Sequence, residues 1–411
     1  MGRSRAVHLS WITTVVGGDR IAYRNSLAAL AVAVTASLVA GITLATTTET
    51  LEELPGLLLL VPAALAVKGN IFGALGSRLG TSIHAGVFQL SPRLDTVVGQ
   101  NTAAALALSL VVSVELALLA KGVAVVFDVT PTMSTAAFVT VSALGGAIAS
   151  LVVLIITLLL AGGSVRFGWD LDNVVAPLVT ATGDVITLPA LVWAAALADI
   201  GGVTTTVALV STAVSVPVAV WGIFSPRPVL RSIMRESLPI LTVACVLDLI
   251  AGITIEKRLD DFVAYPVLLI LLPGFLGTAG ALGGVLSSRL ATKVHLGLIS
   301  PGARPRGQAG SDLVMVVSLC LPAFALAGIG AELGGLLTGQ GSPGLWQIVA
   351  VSMLGGLLAT FAVMIVAYYT TLVAIRFGLD PDTYGIPMVT SSLDFVGAFT
   401  LILALVVVGV A

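Results

Sequence analysis

Asp184 and Asp394 are carboxylates set deep inside apolar runs, the first of them at NVVAPLVTATGDVITL, residues 173–188. If a helix starts near Asp172, Asp184 falls about 18 Å along its axis at 1.5 Å per residue. That is near the middle of a bilayer core about 30 Å thick. An acidic side chain there costs about 2.5–3.5 kcal/mol on insertion scales, so it faces water or protein rather than lipid. The arrangement returns in the second half: Phe167-Gly168, Asp170, Asp172, Pro177, Thr180 and Asp184 match Phe377-Gly378, Asp380, Asp382, Pro387, Thr390 and Asp394. Pseudosymmetry would bring the two mid-span acids toward one axis. With Thr180, Thr390 or Ser391 oxygens and backbone carbonyls, they make a hard oxygen environment suited to Mg²⁺ held through retained waters. A buried, hydrogen-bonded acid pair and a proton or Na⁺ relay are the other readings of the same residues.

Such carboxylates need helices to carry them, and composition supplies those. Hydrophobic residues make up 57% of the 411, charged residues 10%, and the mean hydropathy is +1.11. An ordinary soluble domain is excluded. A polytopic helical membrane protein satisfies its own backbone hydrogen bonds in lipid, and 44 glycines suit close helix crossing. A formal charge of −2 gives no reason to expect a nucleic-acid partner. Cys245 and Cys320 stand alone in apolar runs and suggest neither a disulfide framework nor a thiolate metal cluster. Residues 1–24 lack a cleavable signal pattern, so the first apolar run reads as a retained span.

Eleven spans are expected, near 25–45, 57–76, 100–126, 134–161, 174–198, 203–224, 237–255, 264–286, 312–331, 346–374 and 385–410, with a break expected around Pro273-Gly274. With the N-terminus inside, most of the 19 Lys and Arg residues fall in inside segments, among them Arg24, Arg78, Arg166, Arg227, Arg289 and Arg376. The outer loops are acidic, with Glu49, Glu52, Glu53, Asp199, Asp260 and Asp261, which either concentrate cations or simply solvate the loops. The plasma membrane is the expected location, with the C-terminus outside.

An internal repeat extends beyond the acids. Ala40-Gly41-Ile42-Thr43 returns as Ala251-Gly252-Ile253-Thr254, and PAALAVKGNIFGALGSRLGTSIHAG at 62–86 aligns with PGFLGTAGALGGVLSSRLATKVHLG at 273–297. Five spans per unit would invert the second unit, and the run at 203–224 restores its orientation. The expected fold is all-α, with parallel five-helix repeats at 24–198 and 235–411 joined through 199–234.

Other residues keep two readings each. Asp170, Asp172, Asp380 and Asp382 either form a lower cation site or cap helix starts, Asp172 and Asp382 being the better placed caps. Pro177 and Pro387 either release carbonyls at Asn173 and Thr383 or bend helices for packing. Asn70 could add an amide oxygen to the path, but Ala281 stands at its counterpart. Lys68, opposite Ala279, is expected to snorkel or pair. Arg78 and Arg289 are expected to pair with Asp170 or Asp380, or to meet lipid phosphate. His84 and His295 match one another without a zinc-like cluster. Asn101 and Asp312 match and would position a helix start. Glu115 and Asp248 lie opposite Leu326 and Ser37, and serve either a coupling ion or proton, or helix–helix hydrogen bonding.

Through KGN, SRL and DLDNVVAPLVTATGD in the first half, and SRLATKVH and DPDTYGIPMVTSSLD in the second, the sequence resembles the MgtE and solute carrier family 41 magnesium transporters. The resemblance covers 24–198 and 235–410. It implies two five-span units fused through an extra span, so that one chain forms a pseudo-dimer with its path between the halves. The family's central carboxylate falls on Asp184 and Asp394, and its small and hydroxyl residues on Thr180-Ala181 and Thr390-Ser391. Its acidic pair falls on Asp170/Asp172 and Asp380/Asp382, and its Gly-Asn pair on Asn70. The implied cargo is Mg²⁺, with Mn²⁺ or Co²⁺ as further candidates, no organic cofactor and no enzymatic activity. Membrane lipids and divalent cations are the expected partners. Na⁺- or H⁺-coupled exchange and a non-transporting membrane scaffold are the alternatives. With 24 residues before the first span, no cytosolic sensor domain like those of bacterial MgtE is expected ahead of it.

Overall fold

The computed structural model describes residues 20–167, 171–198, 200–295, 298–299, 305, 307–377 and 384–410. Asp170, Asp380, Asp382 and Thr383 lie outside the described residues, as do the side chains of Asp172, Asn173, Pro177, His84 and His295.

Eleven described helices are long and apolar enough to cross a membrane, with mean hydropathies from 1.5 to 2.7 over their most apolar windows. In chain order they are α1 (Arg20–Ala45), α3 (Leu57–His84), α4 (Val97–Val126), α5 (Thr135–Phe167), α6 (Leu171–Ala198), α7 (Gly201–Ile223), α8 (Pro228–Glu256), α10 (Val267–His295), α11 (Gln308–Thr338), α12 (Leu345–Arg376) and α13 (Ile386–Val408). Two short helices, α2 (Thr48–Glu53) and α9 (Leu259–Ala264), precede α3 and α10. The sequence reading missed this pair, because six-residue polar helices carry too little apolar periodicity to register.

The break expected at Pro273-Gly274 is absent, since α10 runs through Pro273 as α3 runs through Pro62. Tertiary packing overrides the local signal, because Val267 to Leu272 are each at most 1% exposed and neighbouring helices hold the turn. Asp172 falls inside the first turn of α6, which begins at Leu171. Pro387 likewise sits in the first turn of α13, directly after a π turn at Tyr384 and Gly385.

Helices before and after α7 make corresponding contacts. Helix α1 lies on α10 and α6, while α8 lies on α3 and α13. Helix α6 packs on α5 and α3, and α13 on α12 and α10. Glycine makes the crossings between halves: a Cβ at Gly41 would collide with the backbone of Ile270, and one at Gly252 with the carbonyl of Leu59. Side-chain bonds follow the same pattern. Ser142 donates to the Ser113 carbonyl at 2.6 Å, and Ser352 to the Phe324 carbonyl at 2.7 Å. Arg78 Nε meets Asn101 Oδ1 at 2.9 Å, and Arg289 Nε meets Asp312 Oδ1 at 2.8 Å. Lys293 adds a 2.7 Å contact to Asp312.

Two features break the parallel. Helix α7 rests on α4, α5 and α8 and exposes Leu209, Val210, Val216 and Val220, as a lipid-facing span does. Glu256 at the end of α8 accepts from Gly56 N at 2.7 Å and Leu59 N at 3.1 Å, capping α3 across the halves. Acidic groups belong at helix N-termini, where amide N–H groups lack partners.

Candidate cation site

Asp184 lies fourteen positions into the twenty-eight residues of α6 and is only 8% exposed. Ser37 of α1 donates to its Oδ2 at 2.5 Å. Helix α10 crosses at the same level, for a Cβ on Gly277 would stand 3.0 Å from Ser37 Oγ and 3.9 Å from Asp184 Oδ2. A Cβ there would press on the Ser37 hydroxyl while meeting the carboxylate at ordinary contact distance.

Asp394 of α13 is half-buried and interacts electrostatically with Asp184 on one side and with Asp248 of α8 on the other. One turn earlier on α13, the buried Ser391 donates to Asp248 Oδ2 at 3.0 Å. Asp248 Oδ1 is buried without a hydrogen-bond partner. The two mid-span acids are thus in one electrostatic neighbourhood, and a third acid from α8 joins them. Among the described residues, no three His, Cys, Asp or Glu side chains come close enough to cage a bare ion. What the arrangement can do is attract a cation that keeps part of its water shell.

Thr390 stands beside Gly280 and Thr180 beside Gly69, so the two hydroxyl residues hold matching places on α13 and α6. Thr180 is exposed, Thr390 half-buried and Ala181 buried. Thr390 Oγ1 lies 3.1 Å from the carbonyls of Ile386 and Pro387 and 3.3 Å from Asn70 Oδ1. A hydroxyl has one proton to donate. Given to the helix backbone, it leaves Thr390 Oγ1 as an acceptor for Asn70, whose Nδ2 is otherwise buried without a partner. Exchanging the amide O and N of Asn70 gives its NH₂ group an acceptor in Thr390 Oγ1. Asn70 also lines a small cleft with Ala74, Arg78, Ser237, Ile240 and Pro387.

Lys68 does not snorkel. It is 1% exposed, and its ammonium donates to Ser109 at 2.7 Å and Ser150 at 2.9 Å, with Ser113 at 3.5 Å. Serines from α4 and α5 lie within reach of its four-carbon stem, so the charge is solvated by hydroxyls inside the bundle instead of at its rim. In the second half Ala279 stands in its place, and the Phe324 ring packs against Gly356. Glu115 of α4 accepts from Thr242 of α8 at 2.6 Å, the helix-to-helix hydrogen bond that was one of its two expected roles.

Sequence reasoning missed Ser37 and Glu256 as partners. Ser37 carried a signal, since it stands opposite Asp248 in the repeat. Glu256 stands opposite Ala45, and only the folded contact with Gly56 and Leu59 reveals its role.

Residues 61–194 and 272–404 each match the MgtE family of divalent cation transporters, and together they make up more than half of the chain. The chain belongs to the MgtE family. Among curated proteins, this MgtE member is 27% identical over 375 residues to solute carrier family 41 member 2 of Xenopus laevis, covering 85% of this chain and 65% of that protein. It is 26% identical to the Homo sapiens member 2 over 87% of the chain and 65% of the relative. It is 23% identical to solute carrier family 41 member 3 of Rattus norvegicus, over 86% of the chain and 79% of the relative. The MgtE chain therefore spans a little under two thirds of the length of its member 2 relatives. No solved structure matches it. MgtE is a transporter family and not an enzyme family.

Proposed function

We propose that this protein carries divalent cations, principally Mg²⁺, across the membrane along a path between two five-helix halves. The halves are 24–198 and 235–411, related by a pseudo-twofold along the membrane normal, with 199–234 as the connecting span and inside loop. Support comes from the two separate family matches and from the parallel packing of α1 on α10 and α8 on α3. The single observation that carries the site is that Asp184 and Asp394, two mid-span acids on different helices, lie near enough to interact electrostatically. Thr390, Ser391, Thr180, the backbone at Ala181, and Asn70 supply further oxygens. Asp170, Asp172, Asp380 and Asp382 form the inner approach, with the N-terminus and that approach on the cytoplasmic side. Mn²⁺ and Co²⁺ are further candidates for cargo.

Hydration decides selectivity in this scheme. Mg²⁺ dehydrates reluctantly, and well-separated carboxylates hold it through its waters. A second reading is exchange of Mg²⁺ against Na⁺ or H⁺, favoured by the presence of Asp248 beside Asp394. Reconstituted Mg²⁺ flux with and without Na⁺ and pH gradients separates the two. Gradient-independent flux supports a channel-like route, dependence on either gradient supports exchange, and absence of any divalent flux rejects the function.

A further inference from the structure

In the register of the internal repeat, Ser37 and Asp184 of the first half correspond to Asp248 and Asp394 of the second. Where the first half pairs a hydroxyl with a carboxylate, the second sets carboxylate against carboxylate. Ser391 takes over part of the missing hydroxyl's work, donating from α13 to Asp248 Oδ2 at 3.0 Å. It cannot serve both oxygens, and Asp248 Oδ1 stays buried without a partner.

Asp248 is fully buried, and a carboxylate there is costly unless it is neutralised, paired or engaged by a cation. Its surroundings offer no fixed cation that is free to do this. From α13 it faces Asp394, itself acidic. From α3 the nearby charge is Lys68, whose ammonium is already given to Ser109 and Ser150. From α4 comes Glu115, bonded to Thr242. Helix α7 carries no charged residue, and Cys245 lies one turn away on α8 itself. Among the described residues, Asp248 takes part in no ion pair. Asp394 thus interacts with both Asp184 and Asp248, and Asp248 Oδ1 is left without a hydrogen-bond partner.

We propose that Asp248 is a third carboxylate ligand of the cation site, which holds the hydrated divalent ion off-centre, toward α8 and α13. This rests on the cation-site reading above and deepens it. Mg²⁺ would be engaged by Asp394 and Asp248 Oδ1 through its waters, with Ser391 anchoring Asp248. Asp184, already satisfied by Ser37, would contribute the weaker contact across the axis.

The test uses the full chain, purified in detergent, with thermal unfolding followed as MgCl₂ is titrated. Wild type, Asp248→Asn, Ser391→Ala, Asp184→Asn and Asp394→Asn are compared, together with Mg²⁺ influx in liposomes. Asp248→Asn should shift the half-stabilising Mg²⁺ concentration upward about tenfold or more, in line with losing a metal-orienting group. Its Tm without Mg²⁺ should not fall, since a buried charge has been removed. Asp394→Asn should weaken Mg²⁺ more than Asp184→Asn does. An unchanged half-stabilising concentration in Asp248→Asn overturns the proposal, as does a lowered Mg²⁺-free Tm with unchanged Mg²⁺ dependence. If Asp248→Asn does not fold, Ser391→Ala decides: a shift in Mg²⁺ dependence supports the proposal and none overturns it. Wild-type influx and Mg²⁺ response in both Asp184→Asn and Asp394→Asn would instead reject the underlying site, a result distinct from failure at Asp248 alone.

Discussion

Ser37 of α1 donates a 2.5 Å hydrogen bond to Asp184 of α6, tying the first helix of the chain to the acid at mid-span. The hydroxyl orients one carboxylate oxygen and leaves the other available. Ser37→Ala should lower stability by about 1–3 kcal/mol, because a buried acceptor loses its donor. Mg²⁺ flux should fall without being abolished. Thermal unfolding and liposome influx on the same preparation check both.

The glycine crossings make a sharper claim about the fold. A Cβ at Gly252 meets the Leu59 carbonyl, and one at Gly41 meets the Ile270 backbone. Backbone cannot swing aside as a side chain can. Gly252→Ala and Gly41→Ala should each destabilise by about 1–3 kcal/mol through overpacking. Gly73→Ala, where a Cβ meets open space, is the control and should unfold at the wild-type temperature or slightly above.

Lys68 is solvated by serine hydroxyls, with no ion-pair partner among the described salt bridges. A buried charge without an ion-pair partner carries a desolvation cost that an apolar side chain of similar length does not. Lys68→Met should therefore keep its Tm or raise it, and should tighten Mg²⁺ through loss of a nearby positive charge. A marked fall in Tm would mean that the ammonium holds α4 and α5 together.

Glu256 caps α3 through Gly56 and Leu59. Glu256→Ala should cost about 0.5–2 kcal/mol, the usual range for losing an N-cap. Hydrogen exchange at the start of α3 should rise before exchange elsewhere, since the released amides belong to that turn.

The spans were legible because lipid permits few solutions: long apolar helices with their hydrogen bonds satisfied internally. Asp184 and Asp394 were legible for the same reason, as acids rarely sit at mid-span. What stayed hidden depends on which helix faces which. Lys68 reads as a snorkelling side chain until Ser109 and Ser150 are brought to it from two other helices. Pro273 reads as a break until the neighbours of α10 are in place. Asp248 stood opposite Ser37 in the sequence, but only the packing of α8 against α13 brings it to Ser391 and Asp394.

The most direct measurement is Mg²⁺ influx into liposomes holding the native chain, Asp184→Asn or Asp394→Asn, each verified as folded by its unfolding profile. Both variants should lose at least about tenfold of the native rate, the scale expected when a metal-orienting group is removed. Native influx in both folded variants would contradict the claim that these two acids handle the transported ion.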